Sequence, residues 1–382
     1  MTPSTTTALR RPVRQHVHLP QLDGLRTLAV VLVLGYHVLR TEEIPVLSGA
    51  FIGVDVFFVL SGFLITTLLL REHASSGRID LRRFYVRRLW RLYPALVLVS
   101  VVAAAAFTVR PSLFGLEAGS PVESLVALAY GMSWWSGLEL SGGPYLLGLT
   151  WSLSVEEHFY LLWPLLLLAV LRRGGRVGAV ALIAVLANAW PAFLWLNGAE
   201  VNRLYYMPDA RFSQILTGCL LAAALHRSPD LGRLRAAVSP LVAWGVLGLL
   251  TGVVVLATRY DGWYWSGGMQ AIGIGTALVI GHLVVHPDAR LAQLLRWGPL
   301  PLLGLWSYGI YLWHLPLMRL AQPVFDGSVA VTALAGLAAI PVAAASYRFV
   351  EQPLLHRRSL RVVPRPAERP RVPQSELAKS AA

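Results

Sequence analysis

Charged residues are scarce in this chain of 382 residues, because only 14% of them are Asp, Glu, Lys or Arg. Soluble domains carry about a quarter charged residues. A chain that is 55% hydrophobic, with a mean hydropathy of +0.58, cannot hide its apolar surface in one soluble core or remain disordered. A single cysteine, Cys219, excludes a disulfide scaffold. The composition therefore predicts a polytopic helical membrane protein.

The apolar runs are long enough to cross a bilayer as helices, which takes roughly 17–25 residues each. We predict an all-α fold with about ten transmembrane helices, over residues 25–41, 51–70, 92–109, 154–171, 177–196, 211–226, 238–257, 267–285, 299–321 and 328–349. The segment 122–137 is less apolar and contains Glu123, so we expect it to be re-entrant or interfacial.

The placement of basic residues orients these helices. If 122–137 does not span, 26 of the 33 Lys and Arg residues fall on one side of the membrane and five on the other. By the positive-inside rule both termini are predicted to be cytoplasmic. The net charge of +13 then reflects topology and attraction to anionic membrane lipids, and no nucleic-acid partner is expected. We expect a cytoplasmic tail over 1–20, a membrane domain over 21–355 and a disordered Pro- and Arg-rich cytoplasmic tail over 356–382.

Ionisable side chains inside the predicted helices are costly in a bilayer, and each one is a candidate for function. Matching depths along neighbouring helices places six of them in the outer half of the membrane: His37, Asp55, Glu156, Glu157, Arg211 and His314. A histidine beside a carboxylate is the minimal apparatus of a general base. Adjacent glutamates point about 100° apart on a helix, so only one of Glu156 and Glu157 is expected to reach this layer. The alternatives are a structural hydrogen bond for His37 and an interhelical ion pair for Asp55 or Arg211.

A second cluster of charge is predicted on the cytoplasmic side. Arg87, Arg88 and Arg91 precede the third apolar run, and Arg87 and Arg91 share a helix face. Guanidinium groups match phosphate oxygens, although contacts with lipid headgroups explain arginines at this position equally well. Arg26 lies on the same side, and its spacing from His37 separates the two side chains by about 16 Å along one helix face.

Seven stretches of the chain, in order, resemble the acyltransferase-3 family of bacterial integral-membrane O-acyltransferases over about residues 20–355. They are LDGLRTLAVVLVLGYH, FIGVDVFFVLSGFLIT, FYVRRLWRLYP, TWSLSVEEHFYLLWP, PDARFSQILTGCLLA, SYGIYLWHLPL and SYRFVEQPLL. The family motifs fall on these residues: the Arg–x10–His pair on Arg26 and His37, the arginine motif on Arg87, Arg88 and Arg91, and the Ser–x–x–Glu motif on Ser154 and Glu157. Asp23 lies in the first stretch and is a further candidate. His158 stands where the family usually has glutamine.

The resemblance implies transfer of an acyl group, commonly acetyl, from cytoplasmic acyl-CoA to a hydroxyl group. The acceptors expected from it are envelope saccharides, peptidoglycan, glycolipids or glycosylated natural products. It implies a multi-pass protein of the bacterial cytoplasmic membrane, with acyl-CoA as a substrate and with no permanently bound cofactor or metal. Some members carry an extracytoplasmic esterase-like domain that this sequence lacks, so an extracytoplasmic partner protein is expected to supply any function of that domain.

Together with the two polar clusters, the resemblance suggests roles for the candidate residues. The inner arginines, including Arg26, would hold the CoA phosphates. His37 would remove the proton of the acceptor hydroxyl, oriented by Asp55 or Glu157, and Arg211 would stabilise the oxyanion. An acyl-histidine intermediate remains an alternative to direct transfer.

A different class of function is a proton-coupled transporter or exporter, because intramembrane His, Glu and Arg also serve proton relays. A transporter would need polar groups along a continuous path. The two separate layers predicted here favour an enzyme with a donor side and an acceptor side.

Overall fold

The structure, a computed structural model, describes residues 19–39, 45–109, 120–140, 146–174, 177–227, 231–322 and 328–359. These ranges contain helices and no strand. Their sixteen α-helices are, in chain order, α1 (Pro20–Val38), α2 (Gly53–Ser76), α3 (Leu81–Val109), α4 (Val122–Leu128), α5 (Met132–Gly137), α6 (Trp151–Arg172), α7 (Val177–Leu196), α8 (Val201–Tyr206), α9 (Pro208–Arg227), α10 (Leu231–Ala237), α11 (Pro240–Leu256), α12 (Met269–Val285), α13 (Arg290–Leu295), α14 (Leu300–Ala321), α15 (Val329–Ser346) and α16 (Gln352–Ser359). The predicted cytoplasmic tails lie almost entirely outside the described residues. The protein is an all-α polytopic membrane protein, as the composition predicts.

Each predicted span coincides with a long helix of the structure, namely α1, α2, α3, α6, α7, α9, α11, α12, α14 and α15. Within the described ranges, seven helical regions are both long and apolar enough to cross a membrane, and they contain α2, α3, α6, α7, α11, α12 and α15. The other three long helices carry Arg26 and His37 (α1), Arg211 (α9) and His314 (α14). Candidate site residues lie on these three helices and also on α2, α3 and α6.

The segment 122–137 folds as two short helices, α4 and α5, separated by a tight turn. Tyr130 in this turn has a φ of 54°, which is uncommon for a residue other than glycine. The Glu123 carboxylate accepts backbone N–H groups from Leu146 and Leu147 and so ties the start of α4 to the chain before α6. Neither α4 nor α5 is long enough to span a bilayer.

Two pairs of parallel helices form the centre of the molecule. In the first pair, α2 and α9 approach closely where Gly62 faces the Ile215 carbonyl and Gly218 faces the Val59 carbonyl, so a Cβ at either glycine would clash. In the second pair, α1 and α14 are joined by a hydrogen bond of 2.5 Å from Thr27 Oγ1 to the Leu300 carbonyl. These pairs hold the polar residues of α1, α2, α9 and α14 in the interior.

The periphery of the molecule is apolar. Large hydrophobic side chains on α7 and α11 are strongly exposed, among them Leu186, Leu241, Leu249 and Leu256. A soluble protein would bury such a continuous apolar surface, whereas lipid tails solvate it. The bilayer therefore covers the outer helices, and the inner helices keep the ionisable groups away from lipid.

Candidate active site

Helix α1 carries polar groups at both ends. It begins with Pro20 at its first position and has Asp23 in its first turn, where an acidic side chain favours the helix dipole. Arg26 Nη1 donates to Asp23 Oδ1 at 3.1 Å. His37 lies in the last turn, three helical turns away from Arg26. The predicted spacing of about 16 Å therefore falls within one continuous helix.

His37 contacts a second histidine. Its Nδ1 atom lies 2.8 Å from the Val33 carbonyl oxygen and 3.3 Å from Nε2 of His314. The His314 side chain is completely buried, and its Nδ1 lies 2.7 Å from the Tyr311 carbonyl oxygen. Within the described part of the chain, no carboxylate lies within hydrogen-bonding distance of His37. The predicted histidine–carboxylate pair is therefore replaced by a pair of histidines from α1 and α14.

A separate cluster of charge surrounds Arg88, and we call it the arginine–carboxylate cluster: Ser61, Arg88, Glu156, Glu157 and Tyr160. Arg88 Nε lies 3.4 Å from Glu157 Oε1, and Arg88 Nη2 lies 4.0 Å from Glu156 Oε2. The guanidinium carbon is 3.2 Å from the centre of the Tyr160 ring, in cation–π contact. Ser61 Oγ donates to Glu156 Oε1 at 2.5 Å. Three helices, α2, α3 and α6, thus meet at Arg88.

The predictions for Glu156 and Glu157 were wrong in two respects. Both carboxylates contact the same guanidinium, so neither glutamate is excluded from the cluster, and they lie with Arg88 rather than with His37. The reason is the register between α3 and α6. Helix α3 begins at Leu81, well before the apolar run at 92, so Arg88 lies two turns inside it. The Tyr85 hydroxyl donates to the Leu161 carbonyl at 2.9 Å and fixes this register.

Asp55 and Arg211 form a third, fully buried cluster. Arg211 Nη2 donates to Asp55 Oδ1, and the Tyr264 hydroxyl donates to Asp55 Oδ2 at 2.8 Å. Both charged side chains have no exposed surface. This arrangement is the interhelical ion pair that the sequence left open, and it brings neither residue into contact with His37.

The predicted equal depth of His37 and Asp55 was also wrong. Residues Pro45–Ile52 form a 3-10 helix that runs beside α1, back toward the middle of that helix, before α2 begins. As a result Gly53, at the start of α2, packs against the Ala29 carbonyl and the Val33 side chain. Along the axis of α1, Asp55 therefore lies about two helical turns, roughly 10 Å, closer than His37 to the N-terminal end. The sequence of the connection between α1 and α2 does not indicate this difference in depth.

The remaining candidates are Arg87, Arg91 and Ser154. Arg87 and Arg91 are exposed on α3, on either side of the partly buried Arg88. Ser154 is buried, and its hydroxyl donates to the Thr150 carbonyl one turn earlier at 3.2 Å. This hydrogen bond joins Ser154 only to the residue just before α6.

Sequence reasoning missed the tyrosines that complete two of the clusters. Tyr160 stacks on Arg88, and Tyr264 bonds to Asp55. Tyr160 follows Glu156 by four residues, and this i, i+4 spacing is a signal that places both on one helix face. Tyr264 lies far from Asp55 in sequence, and the local pattern gives no such signal.

The chain matches known proteins over most of its length. The family model described as an acyltransferase domain, of the acyltransferase-3 type, matches residues 19–348. Among similar proteins, the putative peptidoglycan O-acetyltransferase YrhL of Bacillus subtilis is 34% identical over 363 residues, covering 89% of this chain and 55% of the relative. The peptidoglycan O-acetyltransferase OatA of Listeria monocytogenes is 33% identical over 356 residues, covering 88% and 56%. The O-acetyltransferase OatA of Staphylococcus aureus is 32% identical over 364 residues, covering 88% and 57%.

The matches cover most of this chain but only part of each relative. The chain spans about half the length of the curated relatives it matches. No solved structure matches it. The family model nevertheless covers the whole sequence from α1 to the end of α15, including all three polar clusters. The chain belongs to the acyltransferase-3 family.

Proposed function

We propose that the protein is an O-acetyltransferase of the bacterial cytoplasmic membrane that moves an acetyl group from cytoplasmic acetyl-CoA to a hydroxyl of an envelope saccharide. The observation that supports this proposal is the placement of polar residues at both ends of α1. Its Arg26 end lies on the predicted cytoplasmic side, and His37, in contact with His314, lies about 16 Å further along the same helix. The names of the relatives support peptidoglycan as the acceptor.

The hydrogen bonds of the two histidines favour one tautomer for each ring. Carbonyl oxygens only accept, so His37 carries its proton on Nδ1 toward Val33, and His314 carries its proton on Nδ1 toward Tyr311. His314 Nε2 is then an acceptor that faces the Nδ1–H of His37. The lone pair of His37 lies on Nε2, which is the atom that would take a proton from an acceptor hydroxyl.

The proposed reaction transfers one acetyl group and one proton. The acceptor O–H loses its proton to His37 Nε2 as its oxygen forms a bond to the thioester carbonyl carbon. The carbon–sulfur bond then breaks, and the proton from His37 neutralises the departing CoA thiolate. The imidazolium that forms in between donates from Nδ1 to the Val33 carbonyl and to His314 Nε2. Direct transfer requires one base, which the histidine pair supplies.

On the donor side, we assign the CoA phosphates to the exposed arginines of α3. Arg88 is already balanced by Glu156 and Glu157, which lowers its capacity to bind another anion. Arg87 and Arg91 flank it on the same helix and are exposed. Arginine recognises phosphate through paired N–H donors. In this proposal Arg88 organises the cluster, while Arg87 and Arg91 contact the donor.

The test uses purified protein in lipid nanodiscs with acetyl-CoA and a soluble peptidoglycan fragment. Release of CoA thiol and formation of an acetyl ester, followed by mass spectrometry, are measured for the wild type and for His37→Ala. His73→Ala, at the predicted cytoplasmic end of α2, is the matched control. We expect His37→Ala to lose transfer by a factor of about 10² or more, with acetyl-CoA binding retained, and His73→Ala to behave as wild type.

Two outcomes would contradict the proposal. Full transfer by a folded His37→Ala protein would remove His37 from the reaction. A wild-type protein that neither binds acetyl-CoA nor releases thiol, but that moves protons across a sealed vesicle membrane, would favour the transporter.

A further inference from the structure

Arg259 lies in the connection between α11 and α12, on the predicted outer side of the membrane. Its guanidinium group is held by phenols: Nη1 donates to the Tyr206 hydroxyl at 3.4 Å, and Nη2 donates to the Tyr260 hydroxyl at 2.6 Å. The guanidinium carbon lies 5.4 Å from the centre of the Tyr205 ring and 4.8 Å from that of Tyr260. The Arg259 carbonyl accepts from Trp265 Nε1 at 2.9 Å, which anchors the backbone.

No carboxylate balances the charge of Arg259 within the described residues. Its Nε atom is buried and has no hydrogen-bond partner there. Two other arginines near this side of the protein differ in this respect: Arg203 forms hydrogen bonds of 2.8 Å and 2.6 Å to Asp209, and Arg211 is paired with Asp55. Arg259 is thus a preorganised guanidinium with capacity to bind an anion.

This arginine lies near the proposed acceptor end of α1. His37 is in edge-to-face contact with Tyr36, with ring centres 5.3 Å apart, and Tyr36 is in turn 6.3 Å from Phe51. Phe51 packs against Tyr205, the ring over which Arg259 lies. A chain of aromatic contacts therefore connects Arg259 with the histidine pair.

We propose that Arg259, with Tyr206 and Tyr260, forms a binding subsite for an anionic group, a carboxylate or a phosphate, on the saccharide acceptor. The inference rests on the proposed function and adds to it a class of acceptor. Tyr260 and the neighbouring Trp263 are exposed, so their rings offer apolar faces for the C–H groups of a sugar ring. The guanidinium would then fix the anion and orient the acceptor hydroxyl toward His37.

The experiment measures binding without catalysis. Saturation-transfer-difference NMR titrations in nanodiscs, without acetyl-CoA, compare methyl glucoside, methyl glucuronide and glucose 6-phosphate. These probes share one ring and differ mainly in charge at C6. The proteins are wild type, Arg259→Gln, Arg259→Lys and, as the matched control, Arg203→Gln.

We expect the wild type and Arg203→Gln to bind at least one anionic probe about fivefold or more tightly than the glucoside, at low salt. Arg259→Gln should lose this preference, and Arg259→Lys should keep part of it because the charge remains without the planar fork. Preference for the glucuronide identifies a carboxylate, and preference for the 6-phosphate identifies a phosphate. A wild type with no anion preference, or an Arg259→Gln protein that keeps it, would overturn the inference.

The test of the anion subsite and the test of acetyl transfer can fail independently. Anion preference without any transfer of acetyl would leave the subsite standing and reject the proposed function. Transfer dependent on His37, without anion preference, would do the reverse.

Discussion

His314 Nε2 faces His37 Nδ1 at 3.3 Å, and this contact joins the C-terminal halves of α1 and α14. In many hydrolases and transferases, a carboxylate orients the basic histidine. Here the His314 imidazole and the Val33 carbonyl occupy that position. The sequence places His314 in a broad polar layer, and in the structure His314 is the direct partner of His37.

This contact predicts different effects for two substitutions of His314. His314→Leu removes the acceptor facing His37 Nδ1–H and should lower kcat by about 10- to 100-fold, with little change in the KM for acetyl-CoA. His314→Gln places an amide oxygen near the position of Nε2 and should restore much of kcat. Both variants are compared by steady-state transfer kinetics in nanodiscs. Equal losses in the two variants, with equal losses of thermal stability, would indicate packing rather than positioning.

The buried pair of Asp55 and Arg211 predicts a stability effect. Asp55→Leu leaves a guanidinium buried without its counter-charge and should lower the free energy of unfolding by about 3–5 kcal/mol. The double variant Asp55→Leu/Arg211→Met removes both charges and should recover most of this loss. Thermal unfolding in detergent, followed by tryptophan fluorescence, measures each protein.

The same variants decide between two roles for Asp55. If Asp55 only joins α2 to α9, the double variant should retain most of its acetyl transfer once it is folded. A double variant that is as stable as the wild type but inactive would return Asp55 or Arg211 to the reaction.

The positions of the helices could be predicted from the sequence because length and hydropathy determine which segments enter a bilayer. All ten predicted spans have a matching helix, and 122–137 folds into pieces too short to cross. The depth of a side chain within a helix is less accessible, because it depends on where the helix begins. The early start of α3 at Leu81 and the 3-10 helix Pro45–Ile52 each shift polar groups by about two turns.

Several of the candidate residues therefore lie in polar clusters, but the grouping of these clusters was not predicted. Arg88 was expected among the arginines of the inner side, and in the structure it contacts two glutamates that were expected further out. Pairing across helices is set by tertiary register, and one sequence does not encode it as a local pattern. The spacing of Arg26 and His37, by contrast, lies on one helix and transfers directly from sequence to structure.

The arginines of α3 are predicted to have two different roles. Arg87 and Arg91 contact the acetyl-CoA donor, and Arg88 stabilises the arginine–carboxylate cluster. Arg87→Gln or Arg91→Gln should raise the KM for acetyl-CoA by about 3- to 10-fold, the cost of one charge-assisted contact, and leave kcat unchanged. Arg88→Met should lower thermal stability and kcat together, because Glu156 and Glu157 lose their partner. Arg83→Gln, also exposed on α3, is the control. A KM effect confined to Arg88→Met would assign the phosphates to Arg88 instead.

The close approach of α2 and α9 predicts a steric effect at one glycine. A Cβ at Gly62 would overlap the Ile215 carbonyl, which belongs to a helix backbone and cannot move aside without shifting α9. Gly62→Ala should therefore destabilise the protein by about 1–3 kcal/mol and displace Arg211 relative to Asp55. Gly248→Ala, on α11, is the matched control, because no described atom outside the adjoining backbone of its own helix lies within 4 Å of its added Cβ. There the better helix propensity of alanine should leave stability unchanged or slightly raised. Thermal unfolding of both variants in the same lipid measures the difference, and equal stability of the two would show that α2 and α9 separate freely at this contact.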